Sequence, residues 1–162
     1  MKIAIMSDSH DAIDNLVKAI EIIKIENPDL IIHAGDFCSP YTAFPFSGIG
    51  IPFIGVFGNN DGDKIALKEK YKEIGELFDY STVFETETGS KILITHYPDM
   101  VDSVAKSGVY DYVVYGHTHK QDIRKVNTTN IINPGTISGH LSDSASFIII
   151  ETDNFHFTNF EI

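Results

Sequence analysis

The stretch VVYGHTH at residues 113–119 is an apolar run that ends at a glycine and is followed by two imidazoles, those of His117 and His119. The stretch IAIMSDSH at residues 3–10 has the same arrangement, with Asp8 and His10 at its end. Residues two positions apart in an extended chain share a face. Each pair can therefore bind an ion just beyond the end of a strand, which core packing does not explain.

The composition indicates one globular domain that spans residues 1–162, with 43% hydrophobic residues. Cys38 is the only cysteine, so no intramolecular disulfide forms, and the first apolar stretch is too short for a signal peptide. We therefore expect a cytoplasmic protein without a membrane segment. The formal net charge of −11 argues against strong non-specific nucleic-acid binding. An anionic substrate is compatible with this charge, because bound divalent cations can invert a local field.

The first half of the chain alternates strands and helices. Short apolar runs predict strands at residues 2–6, 30–33 and 52–57. Apolar residues at helical spacing predict helices at residues 11–26 and from 64 to about 75, with Asp11 and Asp63 as N-caps. This βαβαβ order predicts a parallel sheet with right-handed crossovers.

The second half has a different pattern. Alternating polar and apolar residues predict hairpins at residues 82–87 with 91–95, 122–126 with 130–133, and 145–151 with 155–161. A helix at residues 99–106, ended by Gly108, and a buried strand at 111–115 lie among them. We expect this half to be mostly antiparallel. Together the halves predict an α/β fold, a two-sheet α/β sandwich of mixed parallel and antiparallel strands with flanking helices.

Residues that can bind metal follow five of the predicted strands. In open α/β sheets ligands bind beyond the carboxyl ends of the strands, so these side chains should meet at one edge. They are Asp8, His10, Asp36, Asn59, His96, His117 and His119. Seven donors are too many for one tetrahedral ion with an open position, and they suit two ions that share a carboxylate.

Five short motifs along the chain contain these residues: Asp8-Ser9-His10, Gly35-Asp36, Gly58-Asn59-Asn60-Asp61, Thr95-His96 and Gly116-His117-Thr118-His119. In this order they resemble the motifs of the calcineurin-like metallophosphoesterases. The short chain is similar to the small prokaryotic phosphodiesterase branch of that family. The resemblance extends from Met1 to about Gly139. It implies a metal-dependent phosphoric diester hydrolase that acts on a small phosphodiester substrate.

The resemblance also implies a role for each motif residue. A first metal ion is held by Asp8, His10 and His119, a second by Asn59, His96 and His117, and Asp36 bridges the two. A hydroxide between ions about 3.5–4 Å apart is the implied nucleophile. Both implied ions are divalent transition metals, because imidazole and carboxylate donors suit Mn, Ni, Co, Fe and Zn. Mn is the first choice that the resemblance implies. The residues implied in catalysis are Asp36, Asn59, Asn60 and His96.

Position 60 departs from the family motif, which is Gly-Asn-His-Asp. The histidine of that motif can protonate the leaving group, whereas the amide of Asn60 does not titrate usefully and is no strong general acid. The departure predicts slow release of poor alkoxide leaving groups. Asn60 can still donate a hydrogen bond to a phosphoryl oxygen.

Three alternatives stay open. A scaffold subunit of the same fold should lack metal ligands, whereas all seven are present in this chain. A nuclease that acts on DNA ends should have a basic surface and further domains. A phosphomonoesterase is disfavoured by Asn60 but compatible with the other residues. A homo-oligomer is also compatible with the sequence.

The remaining histidines and the cysteine give weaker signals. We expect His33 to be a satisfied core histidine, His156 to be exposed, and Cys38 to be a small hydrophobic residue in a loop. The glycine-rich loop before His140 should lie near the site, although a surface position for His140 itself is favoured. The segment at residues 37–51 is long for a loop, so we expect it to form either a substrate wall or a packing or subunit contact.

Overall fold

The computed structural model describes residues 1–140, 142 and 144–162, and in these residues eleven strands form two sheets. The strands are β1 (Lys2–Met6), β2 (Leu30–His33), β3 (Phe53–Val56), β4 (Glu76–Phe78), β5 (Ser81–Glu85), β6 (Lys91–Thr95), β7 (Tyr112–Val114), β8 (Gln121–Val126), β9 (Thr129–Pro134), β10 (Ser146–Glu151) and β11 (His156–Glu161). The helices are α1 (Ile13–Glu26), α2 (Lys64–Tyr71), α3 (Val101–Ser107) and a 3-10 helix (Pro40–Phe46).

The expected two-sheet α/β sandwich of mixed parallel and antiparallel strands is confirmed. The first sheet has the order β11-β10-β1-β2-β3-β4, in which β1 to β4 are parallel and β10 runs antiparallel to β1. The second sheet has the order β5-β6-β7-β9-β8. The second half is mostly antiparallel, as expected, because β5–β6, β8–β9 and β10–β11 are antiparallel pairs; β6–β7 and β7–β9 are parallel pairs. The helix α3 provides the crossover between β6 and β7, as parallel pairing requires.

The side chains of β1 alternate between two hydrophobic layers. Ile3 and Ile5 pack between the two sheets, in one cluster with Ile94 and Val114 of the second sheet. Ala4 and Met6 pack on the opposite face, in the cluster that contains the buried faces of α1 and α2. The outer face of the second sheet is covered by α3, through Val101 and Ala105. The result is four layers, with helices outside and the two sheets inside.

The two predicted helix caps have different outcomes. Asp63 caps α2, because its carboxylate accepts a hydrogen bond from the backbone N–H of Ala66 at 3.0 Å. Asp11 does not cap α1, which begins only at Ile13. The Asp11 carboxylate instead accepts hydrogen bonds from the backbone N–H and the hydroxyl of Ser39, at 3.0 and 2.7 Å. Asp11 therefore joins the segment that follows β1 to the segment that follows β2.

The remaining element boundaries differ from the predictions in small ways. The helix α2 ends at Tyr71 rather than near residue 75, and the short strand β4 follows it. The left-handed backbone of Gly108 ends α3 as expected. Among the described residues, no helix combines the length and the apolarity that a membrane crossing requires.

Gly116 lies where the end of β7 meets the ends of β1 and β2. A Cβ atom at this position would collide with Ser7 Oγ and would lie 2.8 Å from the carbonyl oxygen of Ala34 and 2.9 Å from Asp8 Oδ2. A side chain larger than a hydrogen atom does not fit there. The absence of a Cβ at Gly116 thus permits the two sheets to approach each other closely at this edge.

We predict that Gly116→Ala destabilises the protein by about 1–3 kcal/mol, because the added methyl group overpacks this junction. Gly62→Ala is the matched control, since a Cβ at Gly62 has open space around it. Urea unfolding of both variants measures the difference. Equal unfolding midpoints for the two variants would show that the junction tolerates a side chain.

Candidate metal centre

The structure brings all seven predicted metal-binding side chains together at one edge of the sandwich. Backbone hydrogen bonds align the strand ends within each sheet, from Asp8 N to Gly35 O at 2.9 Å and from Gly116 N to His96 O at 3.2 Å. The two sheets are joined there by the N–H of His117, which donates to Asp8 Oδ2 at 3.0 Å. Side chains from both sheets therefore converge on one place.

The first group comprises Asp8, His10, Asp36 and His119, whose ligand atoms all lie within 4.8 Å of one another. The two imidazole Nε2 atoms of His10 and His119 are 3.1 Å apart. Asp8 Oδ1 lies 3.7 Å from His10 Nε2 and 3.3 Å from His119 Nε2. Donors about 2.1 Å from one ion are spaced by about 3.0–3.4 Å in octahedral or tetrahedral geometry. The spacing of this group fits a divalent cation.

The carboxylate of Asp8 provides independent evidence for a cation. Its Oδ2 atom accepts hydrogen bonds from Ser7 Oγ at 2.6 Å and from the N–H of His117 at 3.0 Å. Its Oδ1 atom is buried and has no hydrogen-bond partner in the described part of the chain. Burial opposes ionisation of Asp8, but the nearby imidazoles of His10 and His119 and the hydrogen bond from Ser7 outweigh it and lower its pKa well below the usual range. A buried, ionised and unpartnered oxygen at this place suits a bound cation.

The second group comprises Asn59, His96 and His117. Asn59 Oδ1 lies 3.0 Å from His96 Nε2 and 2.9 Å from His117 Nδ1, and the two nitrogen atoms are 3.3 Å apart. His96 Nδ1 lies 2.8 Å from the carbonyl oxygen of Ala34, which can only accept, so this nitrogen carries the proton. The lone pair of His96 Nε2 is thereby directed into the group. These three donors also fit a metal ion.

Asp36 lies between the two groups. Its Oδ2 atom is 3.6 Å from His10 Nε2 and 3.5 Å from His96 Nε2. Asn60 donates to the same carboxylate twice, from its backbone N–H to Oδ1 and from its side-chain amide to Oδ2, both at 2.8 Å. Burial opposes ionisation of Asp36, but the adjacent imidazole of His96 and the two hydrogen bonds from Asn60 prevail and lower its pKa to about 2. This carboxylate is therefore ionised and faces both groups.

Asp61 has a role that the sequence did not reveal. Its carboxylate is buried and accepts three backbone N–H hydrogen bonds, from Gly58 at 2.7 Å, Cys38 at 2.8 Å and Asp36 at 3.1 Å. Asp61 thus joins the segments that follow β2 and β3 and holds the backbone of Asp36. The available signal was the carboxylate at the end of an Asn-Asn-Asp turn, a position from which Asp commonly binds nearby backbone.

Five of the seven residues have a left-handed backbone, which non-glycine residues seldom adopt. They are Asp8, His10, Asp36, His117 and His119, with φ between 40° and 70°. Such conformations cost about 1–3 kcal/mol each and persist only where the surroundings impose them. The hydrogen bonds of Asp61 and of Asp8 provide that constraint here.

The other residues singled out in the sequence lie outside the two groups, and some of them contact group members. His119 Nδ1 donates to the backbone oxygen of His140 at 2.7 Å, and the side chain of His140 is exposed. Cys38 Sγ lies 3.3 Å from His10 Nδ1, so this cysteine contacts the site and is more than a loop hydrophobe. Residues 37–51 contain the 3-10 helix, in which Tyr41 and Phe44 are exposed. His156 is exposed as expected.

Comparison with known proteins identifies the family. The profile of the calcineurin-like phosphoesterase superfamily domain matches residues 1–155. The chain belongs to this superfamily. This superfamily comprises metal-dependent hydrolases of phosphoesters, and in this phosphoesterase Asp8, His10, Asp36 and His119 form a group that could hold a metal ion.

Individual relatives agree with this assignment. Phosphodiesterase MJ0936 of Methanocaldococcus jannaschii is 38% identical over 156 residues, which cover 94% of each chain. The solved structure of an archaeal phosphodiesterase superposes with a TM-score of 0.93 at 36% identity and covers 100% of both chains. A zinc complex of Vps29 from Entamoeba histolytica covers 99% of both chains with a TM-score of 0.72. At 15% identity, Vps29 shows a shared fold only.

His33 is the satisfied core histidine that the sequence predicted. It is fully buried, its Nε2 lies 3.1 Å from Ser9 Oγ, and its Nδ1 accepts from the N–H of Gly35 at 3.2 Å. Its ring stacks on Phe37 with 3.9 Å between the centroids. Burial lowers the pKa of His33 to about 3. A proton on Nδ1 would also break the hydrogen bond from Gly35.

We predict that His33 makes the metal-free phosphoesterase less stable in mild acid. The unfolded chain protonates His33 below about pH 6.5, whereas the folded chain keeps it neutral to about pH 3. As the pH falls from about 6.5 to about 3, the contribution of His33 to the free energy of unfolding therefore falls by about 1.4 kcal/mol per pH unit. Above about pH 6.5 this contribution is constant. Urea unfolding at several pH values measures the slope.

His33→Gln is the comparison variant, because it retains polar contacts and does not titrate. The raised pKa values of His96, beside Asp36, and of His119, beside Asp8, act in the opposite direction in both proteins and cancel in the difference. Parallel pH profiles for the two proteins would contradict the assignment to His33.

Proposed function

We propose that this phosphoesterase hydrolyses phosphodiesters with two divalent transition-metal ions bound at its strand ends. The observation that carries the proposal is the position of Asp36, whose Oδ2 lies 3.6 Å from His10 of the first group and 3.5 Å from His96 of the second. The diester preference is supported by the 38% identity to a phosphodiesterase over nearly the whole chain. Mn²⁺ is the proposed ion, with Ni²⁺, Co²⁺, Fe²⁺ and Zn²⁺ as alternatives for this donor set.

In this proposal the residues of the site divide into binding and positioning roles. Bound divalent ions supply Lewis-acid polarisation of the phosphoryl group and activation of water. Asp8, His10 and His119 would hold the first ion. Asn59, His96 and His117 would hold the second. Asp36 would serve both.

The neighbouring residues keep these donors in place. Asn60 fixes the Asp36 carboxylate by two hydrogen bonds of 2.8 Å, and Asp61 fixes the Asp36 backbone at 3.1 Å. The carbonyl oxygens of Ala34 and His140 fix the Nδ1 protons of His96 and His119, so that each Nε2 lone pair is directed into the site.

Small phosphodiesters are the proposed substrates, and the proposed compartment is the cytoplasm. The formal net charge of −11 disfavours long polyanions, whose binding depends on Lys and Arg contacts to phosphates. The single cysteine suits a reducing compartment. A phosphomonoesterase is the second candidate, because Asn60 weakens protonation of a leaving group without preventing a monoester from binding.

We predict that Asp36→Ala loses at least one metal ion per chain and lowers the rate on an aryl phosphodiester by at least about 100-fold. The reason is that Asp36 is the one carboxylate, among the described residues, that lies beside imidazoles of both groups. Asp14→Ala, an exposed carboxylate on α1, is the control and should match the wild type. Elemental analysis and initial rates are measured on the same samples. Two tightly bound ions with wild-type turnover in Asp36→Ala would contradict the two-metal proposal.

Chelation separates a catalytic role of the ions from a structural one. Activity should vanish in EDTA and return with Mn²⁺, while the far-UV circular dichroism signal persists, because buried apolar strands form the core. His117→Ala should retain one ion per chain, since its side chain belongs to the second group alone. Full activity after chelation would exclude metal catalysis.

We predict that aryl phosphodiesters are hydrolysed much faster than alkyl ones, because the site lacks a strong general acid at position 60. Positioned acid catalysis typically contributes about 10²–10⁴-fold, and a nitrophenolate needs little of it. Asn60→His should therefore accelerate poor leaving groups more than good ones. The measurement is the slope of log rate against leaving-group pKa, which should be steeper for the wild type. Equal slopes would show that position 60 does not govern protonation.

A further inference from the structure

Two tyrosine rings are stacked beside the second group. Tyr80 and Tyr97 have ring centroids 5.1 Å apart and an angle of 20° between their planes. Tyr80 is 50% exposed and Tyr97 is partly exposed. Tyr80 is thus a large aromatic ring that is stacked on its neighbour and still open to solvent.

The pair is fixed by the strand pairing below it. Ser81 of β5 is paired with Thr95 of β6 at the end of the ladder, and the tyrosines lie just beyond this pair. Thr95 Oγ1 contacts both, since it lies 3.5 Å from the backbone oxygen of Tyr80 and accepts from the N–H of Tyr97 at 3.4 Å. The two rings therefore belong to the same strand end that supplies His96.

The pair is contiguous with the candidate metal centre. The ring of Tyr97 packs edge-on against His96, with 5.2 Å between centroids and an angle of 86°, and lies 6.1 Å from the ring of His117. His117 is itself exposed, so the centre is open to solvent on this side. A phosphoryl group at the second metal position would thus place its substituent within reach of the tyrosines.

We propose that Tyr80 and Tyr97 form a stacking subsite for a planar aromatic group carried by the substrate. This inference rests on the proposed function and specifies the substrate class, which is a phosphoester the size of a nucleotide with a nucleobase or aryl ring. Aromatic side chains bind such rings by offset stacking, and a nucleobase on a tyrosine is a common case. Asp99 is exposed two positions after Tyr97, which favours a neutral ring over a further phosphate.

The test compares ligands that differ only in the ring. Binding of adenosine 5′-monophosphate and of ribose 5-phosphate to the Mn²⁺-loaded protein is measured by isothermal titration calorimetry. We expect the nucleotide to bind about 5- to 100-fold more tightly. A parallel comparison of phenyl phosphate with methyl phosphate shows whether any aryl ring suffices or a nucleobase is needed. Equal binding within both pairs, or no binding of any of the four ligands, would overturn the proposal.

Variants locate the effect. Tyr97→Ala should reduce the preference to less than twofold, and Tyr97→Phe should retain it. Tyr41→Ala is the matched control, because Tyr41 is exposed and stacked on Phe44, with centroids 5.8 Å apart, on the 3-10 helix. Circular dichroism and urea unfolding verify that each variant is folded. If Tyr97→Ala still bound the ring-bearing ligands more tightly, the ligand ring would bind elsewhere and the proposed subsite would be refuted.

The outcome is independent of catalysis. If the ring preference is found and no phosphoester is hydrolysed with any metal, the subsite stands and the proposed function fails. If phosphodiesters are hydrolysed and the preference is absent from every comparison, the proposed function stands and the subsite fails.

Discussion

The structure of the site depends on the placement of one ionised carboxylate, that of Asp36, inside the protein. Its Oδ2 atom lies within 3.6 Å of imidazoles from both groups. A buried charge of this kind is costly unless it is hydrogen-bonded and paired with cations. Asn60 provides the hydrogen bonds, and a cation held by the neighbouring donors would provide the pairing. Asp61 accepts a hydrogen bond from the backbone N–H of Asp36 and thereby fixes the position of this residue.

The same constraint explains the backbone at the strand ends. The left-handed backbone conformation is adopted by five residues whose side chains meet at this centre: Asp8, His10, Asp36, His117 and His119. Close approach of the sheets at Gly116 and the hydrogen bond from the N–H of His117 to Asp8 hold these turns in place. The packed apolar layers on both faces of β1 keep the strand ends rigid, so that the strained backbone conformations persist.

Sequence reasoning succeeded where one local pattern determines the outcome. Apolar runs followed by Asp or His predicted β1, β2, β6 and β7 and the convergence of seven donors. It missed β4, whose three residues are too few to show a pattern. It also missed the parallel pairing of β7 with β9, which depends on how distant segments meet in three dimensions. Asp11 binds the backbone of Ser39, and Asp61 binds the backbone of Asp36 and Cys38. These partners are more than twenty positions away in the sequence, so residue spacing did not reveal them.

The place of β1 inside its sheet bears on how the protein is made. β1 is synthesised before the other ten described strands, yet it pairs with β2 on one side and with the much later strand β10 on the other. One edge of β1 therefore stays open while the ribosome completes the remaining strands, and such open edges are prone to wrong pairing. The first group likewise needs His119 opposite Asp8 and His10, so its metal-binding geometry forms only after most of the chain has emerged.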